Sequence, residues 1–167
     1  YIRRDGEINP DRKNFDADKL AHVGNCVLHL SIAYFLTGDE RYAERSSDHL
    51  RTWFVAEKTR MNPNFQHAQF RPGRTTGSPS GMIESLRIRW LPDCAALLLG
   101  SEHWPRSDHA KLAQWYSELL DWMLTSKLGK QERKAKNNAR AELARQAAAA
   151  RKARHAAGVA ERAQKKN

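Results

Sequence analysis

Apolar positions along the first third of the chain recur with the period of an α-helix. Leu20, Val23, Val27, Leu30 and Tyr34 are spaced 3, 4, 3 and 4 residues apart, which places them on one helical face. Thr37-Gly38-Asp39 then predicts a stop and a fresh start, with Asp39 set to cap the next helix by accepting from its free N–H groups. Tyr42, Ser46, His49, Leu50, Trp53 and Phe54 form a second stripe. A turn this short makes the two helices antiparallel. Met82, Ile83, Leu86 and Trp90 predict a third helical stretch, which Pro92 interrupts or reopens through Leu99. Leu112, Trp115, Tyr116, Leu119, Trp122 and Met123 predict another helix from near Ser107 to near Gly129. No segment alternates with period two, so the body is all-α, built from successive antiparallel helical hairpins.

Between the second and third stripes the pattern breaks. Asn62, Asn64, Gln66, His67, Gln69, Arg71 and Arg74 crowd into a segment punctuated by Pro63, Pro72 and Gly73. Amides both donate and accept, and guanidinium forks suit carboxylates. The composition fits a hydroxyl-rich anionic ligand, and equally an ordinary polar surface loop. The order of residues separates these readings. Tyr1, Asp5-Gly6 and Asn9-Pro10 open the chain. Leu30, Ala33-Tyr34, Thr37-Gly38-Asp39 and Tyr42-Ala43 follow, then Leu50 and Trp53-Phe54. Thr59-Arg60-Met61-Asn62-Pro63-Asn64 comes next with Ala68-Gln69, and the series closes on Trp122, Ser126, Gly129 and Lys136-Asn137-Asn138. In this order the chain resembles the alginate lyase family of polysaccharide lyases over residues 1–138.

The resemblance implies that the hairpins form part of an incomplete (α/α) toroid whose loops line a long cleft. It also implies that this chain corresponds to the N-terminal part of the family's domain. The implied partner is an acidic, alginate-like polysaccharide cleaved by β-elimination, with no cofactor and no metal, in a periplasmic or secreted setting. Such cleavage removes the C5 proton beside the uronate carboxylate. It needs a group to neutralise that carboxylate, a base, and an acid for the departing oxygen. The family supplies these from an Asn-Asn-His motif and from an Arg and a Tyr further along. Asn138 matches the neutralising amide and Asn137 its neighbour, but Ala139 stands where the family has His. No position matches the downstream Arg or Tyr, so the chain as written is expected to be catalytically incomplete. Asn62, His67, Gln69 and Arg74 are the candidate substrate-binding residues, with Arg71 beside them.

Charge alters this picture at one end. Of a formal net charge of +10, residues 137–167 contribute eight Lys or Arg against two acidic groups. Twelve of the 29 residues from Ala139 onward are Ala. This reads as a basic helical extension (139–167) without a broad apolar stripe to bury. A non-catalytic polyanion-binding role through that tail, toward acidic glycan or nucleic acid, is the alternative function. It has no interleaved aromatics for base stacking. The sequence shows no signal peptide and no uninterrupted apolar run near the roughly 18 residues of a membrane span, so no membrane partner is expected. Cys26 and Cys94 read as buried free thiols, not a staple. His22, Cys26 and His29 share a helix face, but without a second ligand cluster they point to no metal. Trp53 and Trp122 fall on apolar stripes and read as core. Trp104, in a loop, is the freer aromatic.

Overall fold

The computed structural model describes residues 15–71 and 73–135. The chain divides into two compact units, Tyr1–Gly129 and Lys130–Asn167. In the second unit only residues 130–135 are described, and they are helical. The expected boundary at 138/139 and the basic extension lie outside the described residues.

The first unit opens with a hairpin of α1 (Asp16–Thr37) and α2 (Glu40–Leu50). Gly38 closes α1 in the left-handed region, at φ 69°, and its N–H donates to the Tyr34 carbonyl. Only glycine adopts that conformation without steric cost. Asp39 then accepts from the Arg41 N–H at 3.0 Å and caps α2, as its position in sequence predicted. The Arg41 guanidinium and N–H hold the Asp39 carboxyl below the usual carboxylate range. Ser31 and Ser46 share a buried hydrogen bond of 2.9 Å across the helices. With a two-residue turn between the helices, that pairing fixes the antiparallel register. Leu20, Val23 and Val27 are buried as the stripe predicts. At 22 residues and a mean hydropathy of 1.3, α1 is long and apolar enough to cross a membrane. The count of uninterrupted apolar residues did not anticipate this, because scattered polar positions still leave a high average.

A π-helical turn, Arg51–Val55, ends α2, and the polar loop follows. The third stretch is a 3₁₀ helix, Pro79–Arg87, leading into α3 (Leu91–Leu97) with Pro92 in its first turn. This corrects the α-helical stripe. At three residues per turn, positions 82, 85, 88 and 91 align instead. Met82, Ile88 and Leu91 are accordingly buried, whereas Ile83, Leu86 and Trp90 are exposed. The Arg89 guanidinium covers the outward Trp90 ring at 5.0 Å. Helix α4 (Arg106–Thr125) completes the unit. Among the described residues β-structure is limited to two isolated bridges, Arg71 with Thr75 and Leu99 with Ser101.

The core joins Phe54, Trp104 and Trp115 to aliphatic side chains of every helix in the unit. Trp104 is only 1% exposed, so it is not the free aromatic its loop position suggested. Its indole N–H reaches His109 Nδ1 at 3.4 Å, and the neighbouring loop is held by Arg51, which donates to Asp108 at 2.6 Å and to the His103 carbonyl. Cys94 is buried and Cys26 half-buried, and both are free thiols. Burial, with Asp93 nearby, pushes the Cys94 thiol up to about 11. Cys26 Sγ lies 3.4 Å from His22 Nε2, yet no three potential ligands converge on a metal site among the described residues.

Two local features carry predictions. A Cβ on Gly24 would lie 2.3 Å from the Arg87 carbonyl oxygen, so α1 passes the end of the 3₁₀ helix at backbone contact. Gly24→Ala gains about 1 kcal/mol of helix propensity, but overpacking against immovable backbone costs about 1–3 kcal/mol. Thermal unfolding should therefore show a net loss of stability, whereas a free helix surface would give a gain. His49 is half-buried, and desolvation, Arg45 and His22 lower its pKa, with Asp48 opposing. The fold thus favours the neutral ring, and the unfolded chain binds the proton more readily. Stability is full above the unfolded imidazole pKa and is lost as pH falls through the lower folded one. Urea midpoints measured across that acidic window should fall in the wild type and flatten in His49→Gln.

Candidate functional site

The loop after α2 is built by hydrogen bonds that reach outside it. The π turn offsets the helical register, so Trp53 turns toward the loop while Phe54 and Val55 stay buried. Met61 N–H donates to the Trp53 carbonyl at 2.9 Å, and the Met61 carbonyl accepts from Trp115 Nε1 at 2.8 Å. Tyr116, next in α4, donates its hydroxyl to the Ile88 carbonyl at 2.6 Å. One turn of α4 therefore pins the start of the polar segment and the end of the following 3₁₀ helix. Burial, with the Cys94 thiol beside it, pushes the Tyr116 hydroxyl pKa far up, which keeps it a neutral donor.

Inside the loop the chain doubles back on itself. Ser78 N–H donates to the Ala68 carbonyl at 3.1 Å. A Cβ on Gly77 would sit 1.9 Å from the Gln66 carbonyl oxygen, so only glycine permits that crossing. Arg71 and Thr75 exchange backbone hydrogen bonds of 3.0 Å around Gly73, which has φ 70°. Gln69 is the one described non-glycine residue with positive φ, at 51°. That cost is borne at a residue whose side chain lines a cavity, a common sign of a functional constraint.

The cavity has a volume of about 620 Å³. Asn62, Asn64, His67, Gln69 and Arg71 supply polar lining, together with Asp16 and Glu84. Trp53, Met61, Phe65, Phe70 and Phe15 supply apolar surface. Phe15 and Phe70 meet edge-to-face at 4.6 Å. A second, more open depression of about 630 Å³ adjoins it, lined by His67, Phe70, Arg71, Gly73, Arg74, Thr75 and Thr76. The two share His67, Phe70 and Arg71. A concave site lined by apolar rings and a few convergent polar groups is the usual form of a ligand site.

Of the candidate residues, Asn62, His67 and Gln69 share one concavity, and Arg74 lies in the adjoining one with His67. Asn137 and Asn138 lie outside the described residues, as does the Tyr1–Asp5–Gly6 segment. Sequence reasoning missed Trp53, Phe70 and Glu84. Trp53 is half-buried and serves both the core and the cavity wall. Its place at the end of a helix, before the polar run, was the available signal. His67 Nδ1 lies 3.0 Å from the Thr76 carbonyl, which only accepts, so Nδ1 carries the proton. Neither Arg71 nor Arg74 forms an ion pair with a carboxylate among the described residues. Guanidinium groups without an ion pair among the described residues, beside amides and an edge-to-face ring pair, can bind a carboxylate-bearing sugar through charge-assisted hydrogen bonds.

A model of the alginate lyase family matches residues 1–165 of this chain. Among solved structures, an alginate lyase from Bacteroides ovatus is 33% identical and superposes over 78% of this chain with a TM-score of 0.74. That protein's fold is an (α/α) toroid, which agrees with the expected hairpin architecture. The chain spans 35% of its length. No curated protein matches.

Proposed function

Because the chain belongs to the alginate lyase family, we propose that its polar loop and cavity bind an alginate-like polyuronate. The observation that supports this most is the gathering of Asn62, His67 and Gln69 in one concavity that continues past Arg71 to Arg74. Uronate carboxylates engage the two guanidinium groups and neighbouring amide NH₂ groups, sugar hydroxyls engage the remaining polar groups, and the apolar faces of the sugar rings lie against Trp53 and the Phe15–Phe70 pair. The cavity suits one or two sugar residues, and the adjoining depression accepts the continuing chain.

The reading of the reaction is that Asn138 supplies the amide that neutralises the C5-side carboxylate. With Ala139 in place of the family His, no adjacent base takes the proton. An amide has no titration in the useful range, so Asn138 stabilises charge without transferring protons. On this reading the chain binds polyuronate without a histidine beside Asn138 to take the proton, in a periplasmic or secreted setting.

Calorimetric titration of the full chain with mannuronate or guluronate oligomers tests the binding. Arg71→Glu places a like charge between the two depressions and should abolish most of the affinity. The basic segment after Asn138 is the competing attachment point. Affinity that ignores Arg71→Glu but collapses with added salt would move the function to that tail, in line with counterion release.

A further inference from the structure

Hydrogen bonds fix which atoms two of the cavity amides present. Asn64 Oδ1 accepts from the Gln66 backbone N–H at 3.1 Å. A backbone N–H only donates, so the amide orientation is fixed and its NH₂ points away from the turn. Gln69 Oε1 is taken by Ser80 Oγ at 3.0 Å, and Ser80 is joined to Ser78 at 2.8 Å. The two cavity carboxylates are engaged as well, Asp16 by Lys19 at 2.9 Å and Glu84 by Arg87. Asn64 and Gln69 thus present amide NH₂ donors, and the Arg71 guanidinium on the same lining has no hydrogen-bond partner among the described residues.

We propose that Asn64 is a specificity-determining residue of this cavity. With its own oxygen tied to the turn, its NH₂, beside Gln69 and Arg71, selects a uronate carboxylate over the hydroxymethyl group of a neutral hexose. A carboxylate offers two oxygens that accept and never donate, so it satisfies every exposed donor. A hydroxymethyl group offers these donors one weaker, uncharged acceptor. Hydrogen bonds to an ionised acceptor are about twice as strong as neutral ones. The inference rests on the polyuronate reading above and assigns the discrimination within it.

The test compares a mannuronate oligomer with its carboxyl-reduced counterpart by calorimetry on the full chain. Wild type should favour the acid by about 10- to 100-fold, the range of a hydrogen bond to a charged group. Asn64→Asp keeps the oxygen that accepts from Gln66 and removes the donors, so its unfolding temperature should hold while the acid preference disappears. Asn64→Ser also keeps an acceptor for the turn but adds no charge. It should lose acid affinity by about tenfold and leave the reduced oligomer nearly unaffected. If wild type prefers the acid and both variants keep that preference, Asn64 is a turn residue only and the inference falls. If wild type binds both oligomers equally, the inference falls and carbohydrate binding stands. If wild type binds neither, the polyuronate reading itself is wrong.

Discussion

Trp115→Ala should cost about 3–5 kcal/mol of unfolding free energy, the usual range for deleting a buried tryptophan. The ring is fully buried, 4.9 Å from Phe54 and 5.2 Å from Tyr116, with both neighbours edge-on. Truncation removes the ring's contacts and leaves a void the rigid helices fill only in part. It also orphans the Met61 carbonyl, which accepts from the indole N–H. A domain's whole stability is about 5–15 kcal/mol, so a large part of it is at stake. Trp115→Phe separates the two contributions. It keeps much of the apolar volume and loses the hydrogen bond, and should cost less than the alanine variant. Because that bond pins the start of the cavity loop, Trp115→Phe should also weaken oligouronate binding at temperatures where the core stays folded. Denaturant unfolding and calorimetry on the same samples would check both, and unchanged affinity in a folded Trp115→Phe would show that the pin does not shape the cavity.

The second large effect concerns turnover. Incubated with alginate, the chain should bind without producing unsaturated uronate above the background rate. A positioned general base contributes about 10²–10⁴-fold to proton transfer. Ala139 has no group to act as one, where the resemblance to the family implies a histidine. The measurement is the absorbance of the unsaturated product under conditions where calorimetry shows bound ligand. A steady rise at an enzymatic rate would overturn the incomplete-site reading, and would require a base elsewhere in the chain. Neither result bears on the cavity's affinity, which is tested separately by Arg71→Glu.

Much of the fold was legible because its signals are local. The stripe Leu20–Val23–Val27, the Gly38 stop and the Asp39 cap each act within one or two helical turns, and each appears in the structure as predicted. The 3₁₀ stretch was misread because Met82, Ile83, Leu86 and Trp90 satisfy an α-helical period. Met82, Ile88 and Leu91 satisfy a period of three just as well, and only packing distinguishes them. Trp104 was misread for a related reason. Its loop position says nothing about direction, whereas the Arg51–Asp108 bridge and the Arg51–His103 contact, made across more than fifty residues, fold that loop inward.

The chain's own residues thus determine an all-α body, its first hairpin and the ordered motifs that carry the family. Period, capping and residue order are properties of neighbouring positions, and sequence records neighbours directly. Tertiary structure alone decided which loop side chains share a cavity, and that Asn64 and Gln69 present donors there and not acceptors. Those choices depend on the Trp115–Met61 bond, the Gly77–Gln66 crossing and the Ser80–Gln69 contact. Each of these joins positions that lie 11 or more residues apart and come together only once the helices have packed.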